Sequence, residues 1–85
     1  MLLSHMNIGQ AVAKRVTDLL KQHDKTQYRL AKDMTVTHNT MTNIVNAKTK
    51  SVNLNTIFLM CRALGITIDD FFNDPVFKNN ELDID

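Results

Sequence analysis

TQYRLAKDMTVTHNTMTNIVNAKTK, residues 26–50, is the stretch from which the architecture of this 85-residue chain can be worked out. Two short helical patterns flank Thr35-Val36-Thr37. In residues 27–34 the apolar positions are Leu30, Ala31 and Met34, and Thr26 stands where an N-cap belongs. In residues 38–46, capped by Thr37, a turn of about 100° per residue gathers Met41, Ile44 and Val45 on one arc. Val36 is the expected buried anchor of the turn between them. Opposite the apolar arc run Asn39, Asn43 and Asn46 at i, i+4 and i+7, flanked by Thr40 and Thr42, with no charge anywhere in the helix. Asparagine is a poorer helix former than alanine by up to ~0.7 kcal/mol per position, so three of them weaken this helix by about 1–2 kcal/mol.

A carboxamide carries a donor and an acceptor together and can bond adenine N6 and N7 at once, while a threonine hydroxyl serves several base edges or a phosphate. An uncharged polar stripe discriminates among bases, and Lys48 and Lys50 beside it supply attraction to any phosphate backbone. The plainer alternative is an ordinary solvated face on a helix held by Met41, Ile44 and Val45.

Charge supports the first alternative. The net charge is only +1, but residues 1–66 carry nine Lys or Arg against three Asp, and residues 67–85 one Lys against six Asp or Glu. No carboxylate occurs from Met34 through Ile66, whereas Lys48, Lys50 and Arg62 do, which suits an anionic partner.

Outward from the opening stretch, apolar residues at Ile8, Ala11, Val12, Val16, Leu19 and Leu20 predict a helix over residues 8–23, with Lys14, Arg15, Asp18 and Lys21 on its other faces. After an exposed loop at 48–51, Asn53 caps a fourth helix whose stripe is Leu54, Ile57, Phe58, Cys61 and Leu64, stopped by Gly65. Residues 68–72 predict one more short helix, with Asp69 and Asp70 at its favourable start. The pattern is a compact all-α bundle of five short helices. Residues 75–85 read as an acidic tail, disordered or dimer-related. Ser4-His5-Met6 has the look of a tag remnant, so residues 1–6 are given no function and the domain is placed at residues 7–74.

A single cysteine, Cys61, permits no intrachain disulfide and fits a reducing setting; on the apolar stripe it reads as a small core residue rather than a reactive thiol. Met34, Met41 and Met60 read as core filler, and His5 and His23 have no partner pattern. No apolar run reaches the ~20 residues of a membrane span. No Ser/His/Asp set, paired buried carboxylates or phosphate-cradling glycine loop is present in a chain with two glycines, so neither an enzyme nor a cofactor or metal is expected.

Taken together, Gln27, Leu30-Ala31, Val36-Thr37, Ile44 and Lys48-Thr49-Lys50 fall in the register of the phage-repressor and Cro family of Xre-type regulators, which the chain resembles over about residues 7–72. Ala63-Leu64-Gly65-Ile66 and Asp69-Asp70-Phe71-Phe72 match its later apolar helix and aspartate-led turn. Three positions depart from the pattern: Thr35 and Ala47 replace its usual glycines, and Val52 its usual proline. A side chain at positive φ is strained, so the geometry at the first two is in question.

The resemblance implies a λ-repressor-like helix-turn-helix domain whose third helix enters the major groove while the second lies across the backbone. It implies base reading by His38, Asn39, Thr42 and Asn43, and backbone contacts from Gln27, Thr37, Asn46, Lys48, Thr49 and Lys50. Gln27 can also reach a base, and His38 can instead cover Met41 or meet a phosphate. Tyr28 and Arg29 face outward, toward phosphates or simply toward solvent. A transcriptional regulator, and specifically a repressor, is expected, bound as a homodimer to a palindromic operator on double-stranded DNA, in the cytoplasm of a bacterium and either bacterial or phage-encoded. Phe71, Phe72, Val76 and Phe77 are the expected dimer surface, with capping of the first helix as the alternative. The rival function is that of an antitoxin-type protein whose acidic C-terminal segment binds a basic protein partner.

Overall fold

The computed structural model describes residues 6–48 and 52–78. Five α-helices and a 3₁₀ turn follow in order: α1 Ile8–Gln22, α2 Gln27–Met34, α3 His38–Val45, α4 Leu54–Leu64, α5 Ile68–Phe72, and the turn Pro75–Phe77. All five expected helices are present.

Every α-helix opens on a side chain that accepts an otherwise unpaired amide. The caps expected at Thr26, Thr37 and Asn53 accept from the amides of Arg29, Thr40 and Thr56 at 3.1, 3.0 and 2.8 Å. Asn7 and Gln10 form a reciprocal capping box on α1, and Thr67 with Asp70 forms another on α5.

The first four helices also close alike. Asp24, Thr35, Ala47 and Gly65 take left-handed conformations with φ of 51°, 59°, 57° and 73°. The amide of the following residue then donates to a carbonyl five residues back: Lys25 to Leu20, Val36 to Ala31, Lys48 to Asn43 and Ile66 to Cys61, at 2.9–3.0 Å. This is the Schellman turn, in which glycine is the unstrained occupant, and only Gly65 supplies one. Thr35 carries the most strain of the four because it is β-branched. The departures from the family pattern at Thr35 and Ala47 therefore alter residue type while the backbone keeps the left-handed turn.

Val16 from α1, Leu30 from α2, Met41 from α3, Ile57 and Met60 from α4 and Phe71 from α5 are each at most 1% exposed and form one core. α3 rests on α1 and α2, α2 also meets α4, α4 meets α5, and the 3₁₀ turn returns to α1. The small helix α3 is thus backed by α1 and α2, with His38, Asn39, Thr40 and Asn46 left exposed.

The structure corrects the sequence reading in three places. In α4 the buried set is Ile57, Met60, Cys61 and Leu64, while Leu54 and Phe58 are 67% and 50% exposed; the inward face is narrower than the apolar stripe. Arg62 lies over the Phe58 ring at 5.6 Å and covers part of it.

Arg15, expected on a solvent face, is buried. Its Nε and Nη2 donate to the carbonyls of Phe71 and Asp70 at 2.7 Å each, and Nη1 donates to the Asp74 carboxylate at 3.2 Å. These carbonyls lie at the end of α5, where helical acceptors are left over, and a guanidinium satisfies two of them together with a carboxylate.

The third correction concerns the C-terminal apolar group. Phe71 and Val76 are enclosed in the chain's own core, and Phe72 and Phe77 are half-buried against it, so these side chains do not form an open outer surface. The three phenyl rings pack on one another with centroids 4.9–5.8 Å apart. Capping of the first helix by this segment is what the fold uses: the 3₁₀ turn packs on α1, and the folded domain extends beyond residue 74. The rest of the acidic tail, 79–85, lies outside the described residues, as do residues 1–5.

Candidate nucleic-acid interface

Met41 and Ile44 anchor α3 at 0% and 5% exposure, and Val45 packs half-buried beside them. With that arc fixed, helical geometry places the rest. His38, Asn39, Thr40 and Asn46 are exposed, and Thr42 and Asn43 are half-buried at the edges of the helix. Three of the four expected base readers, His38, Asn39 and Asn43, belong to the polar side of one rigid helix, with Thr42 adjoining. α3 contains no Asp, Glu, Lys or Arg.

The ends of α3 are fixed by bonds that limit what their side chains can do. The Thr37 hydroxyl accepts from the Thr40 amide and donates to the Thr40 hydroxyl at 2.9 Å, so it is engaged in the cap. With its one proton committed to Thr40 it has no donor left for a phosphate, whereas the amides of the first turn that the cap leaves free can donate to an anion. At the other end the Lys48 amide donates to the Asn43 carbonyl, which draws the start of the loop back under α3. The Lys48 side chain is exposed and has no ion pair among the described residues. Thr49 and Lys50, also expected at the backbone, lie outside the described residues.

Gln27 opens α2 half-buried and lines a shallow cleft with Lys21, Lys25 and Thr26. Two of the cations on this side are already occupied. Lys25 donates to Asp33 at 2.9 Å and to the Ala63 carbonyl at 2.9 Å, and Arg29 pairs with Asp33 at 3.3 Å. The hydrogen bond from Lys25, reinforced by its charge and that of Arg29, holds the Asp33 carboxyl below the usual carboxylate range. The carboxylate nearest α3 in sequence is therefore paired with two cations of its own neighbourhood.

One contact at this site has no counterpart in the linear pattern. Tyr28, 66% exposed on α2, stands with its ring 6.4 Å from the His38 ring at a tilt of 52°. The two are brought together by the turn at Thr35–Thr37, and no spacing rule within a helix relates them.

Elsewhere the chemistry is quiet. Cys61 is buried, and burial pushes its thiol above the ordinary cysteine value. Among the described residues no three His, Cys, Asp or Glu side chains converge as metal ligands. No helix among them is long and apolar enough to cross a membrane.

Comparison with known proteins agrees with this geometry. The sequence model of the Cro/C1-type HTH DNA-binding domain matches residues 15–75. Among solved structures, the chain is similar to prophage Lp1 protein 11, with a TM-score of 0.78 and 26% identity over 87% of this chain and 97% of that one. No curated protein matches.

Proposed function

Since the chain belongs to the Cro/C1-type HTH DNA-binding domain family and is a DNA-binding regulator, we propose that it is a sequence-specific transcriptional repressor reading the major groove with α3. The observation that carries the reading is the division of α3: a buried arc of Met41 and Ile44 opposite an uncharged, hydrogen-bonding face. A solvated face with no role would have no reason to exclude Lys and Glu, the residues that solubilise a helix at least cost to it.

Under this proposal His38, Asn39 and Asn43 read base edges, with Thr42 adjoining. Gln27, Asn46, Lys48, Thr49 and Lys50 hold the backbone, and Thr37 contributes more as a cap than as a phosphate ligand. One α3 offers few base contacts. A homodimer on a two-fold operator, with recognition helices ~34 Å apart, supplies enough. The antitoxin-type alternative needs the acidic segment from Asp69 to Asp85; within its described part the Asp70 side chain closes the cap of α5 and Asp74 pairs with Arg15, and no observation there favours a basic protein partner.

The test is selection from random duplexes with the intact chain and with Asn43→Ala. The variant should lose ~1–3 kcal/mol on the selected site and relax a single base position. Equal loss on every sequence would remove Asn43 from the readers, and half-site binding as tight as binding to the full palindrome would remove the cooperative dimer.

A further inference from the structure

The contact between Tyr28 and His38 is made by two exposed side chains, neither of which belongs to the core. A centroid separation of 6.4 Å at a 52° tilt lies within the range of favourable aromatic pairs. Tyr28 comes from the first turn of α2 and His38 is the first residue of α3. The pair therefore bridges the two helices at the end where both present free amides. Among the described residues the Tyr28 hydroxyl has no hydrogen-bond partner, so the ring and not the hydroxyl makes the contact.

We infer that Tyr28 is a positioning residue, which selects one orientation of the His38 imidazole so that the base preference conferred by His38 is set partly from α2. An exposed histidine at a helix start samples several side-chain rotamers, and ordering it only on binding lowers affinity. A ring packed against it beforehand removes part of that loss and favours the base that fits the selected orientation. His38 can offer a donor, an acceptor or both, and orientation decides which nitrogen meets a base edge. The inference rests on the proposal that α3 reads bases, and names α2 as a second source of its specificity.

The experiment is random-duplex selection with the full chain and with His38→Ala, Tyr28→Ala, Tyr28→Phe, the His38→Ala/Tyr28→Ala double variant and Asn43→Ala, each shown to be helical by circular dichroism. His38→Ala should relax one base position. Tyr28→Ala should relax that same position roughly threefold to tenfold, the size expected of one aromatic pair. Tyr28→Phe should retain the preference, and the double variant should be no more relaxed than His38→Ala alone. Uniform weakening by Tyr28→Ala with that position unchanged would overturn the inference, as would a Tyr28 effect that persists without His38. If His38→Ala relaxes nothing, the positioning role falls with it, and Asn43→Ala then decides separately whether α3 reads bases.

Discussion

α3 and α4 are neighbouring helices built on opposite plans. α3 has eight residues, two fully buried anchors and a face of hydrogen-bonding side chains turned to solvent. α4 has eleven residues and four buried anchors, Ile57, Met60, Cys61 and Leu64, and it leaves Leu54 and Phe58 outside as well. α3 gives up helix propensity and core area to keep a chemically specific surface. α4 devotes its length to the common core, where it meets α2 and α5. If α3 reads bases as proposed, stability and recognition are held by different helices, and substitutions should separate them.

The largest expected effect is at the shared core. Met60→Ala removes a side chain at 0% exposure and should destabilise the domain by ~2–5 kcal/mol in denaturant unfolding. A loss under ~1 kcal/mol would mean that α4 adds little to the common core. Next comes Arg15→Ala, which strips the guanidinium from the Phe71 carbonyl and leaves the Asp70 carbonyl and the Asp74 carboxylate with only the Asn73 and Val76 amides; it should cost about 2–3 kcal/mol. Hydrogen exchange should show α5 opening ahead of α3 in that variant.

A smaller effect with the opposite sign is expected at the turn between α2 and α3. Thr35→Gly relieves a β-branched residue at φ 59° and should stabilise by ~1 kcal/mol while leaving DNA affinity unchanged. Changed base preference in that variant would show that stability and recognition are coupled through the turn. Smallest of all, Phe58→Ala should alter stability by no more than ~1 kcal/mol, because the ring is half exposed and only Arg62 is known to cover it. A loss comparable with that of Met60→Ala would place Phe58 in the core after all.

The contrast also explains what was legible in the sequence. α3 could be read residue by residue because its polar positions mark the outside, leaving Met41 and Ile44 one place to go. In α4, Leu54, Ile57, Phe58, Leu59, Met60, Cys61, Ala63 and Leu64 offer more apolar surface than a helix can bury, so periodicity alone does not fix which edge stays wet. The same surplus misled the reading of Phe71, Phe72, Val76 and Phe77. Their number suggested an outer surface, but a 3₁₀ turn at Pro75–Phe77 folds Val76 back inside. Arg15 was misplaced for a different reason. Charge predicts exposure, and only a tertiary arrangement that delivers two carbonyls and a carboxylate reverses it. Tyr28 beside His38 was invisible because the relation runs across a turn. The caps at Thr26, Thr37 and Asn53 were the most dependable signals, since each is a local bond between residues three apart.

The guanidinium of Arg15 also ties together parts of the chain that are far apart in sequence. Its acceptors lie 55 to 59 residues further along the chain. A buried cation costs free energy unless it is paired, so α1 has a use for α5 and Asp74 beyond their apolar contacts. The segment from α5 to the 3₁₀ turn thereby acts as a clasp on the α1 side of the bundle.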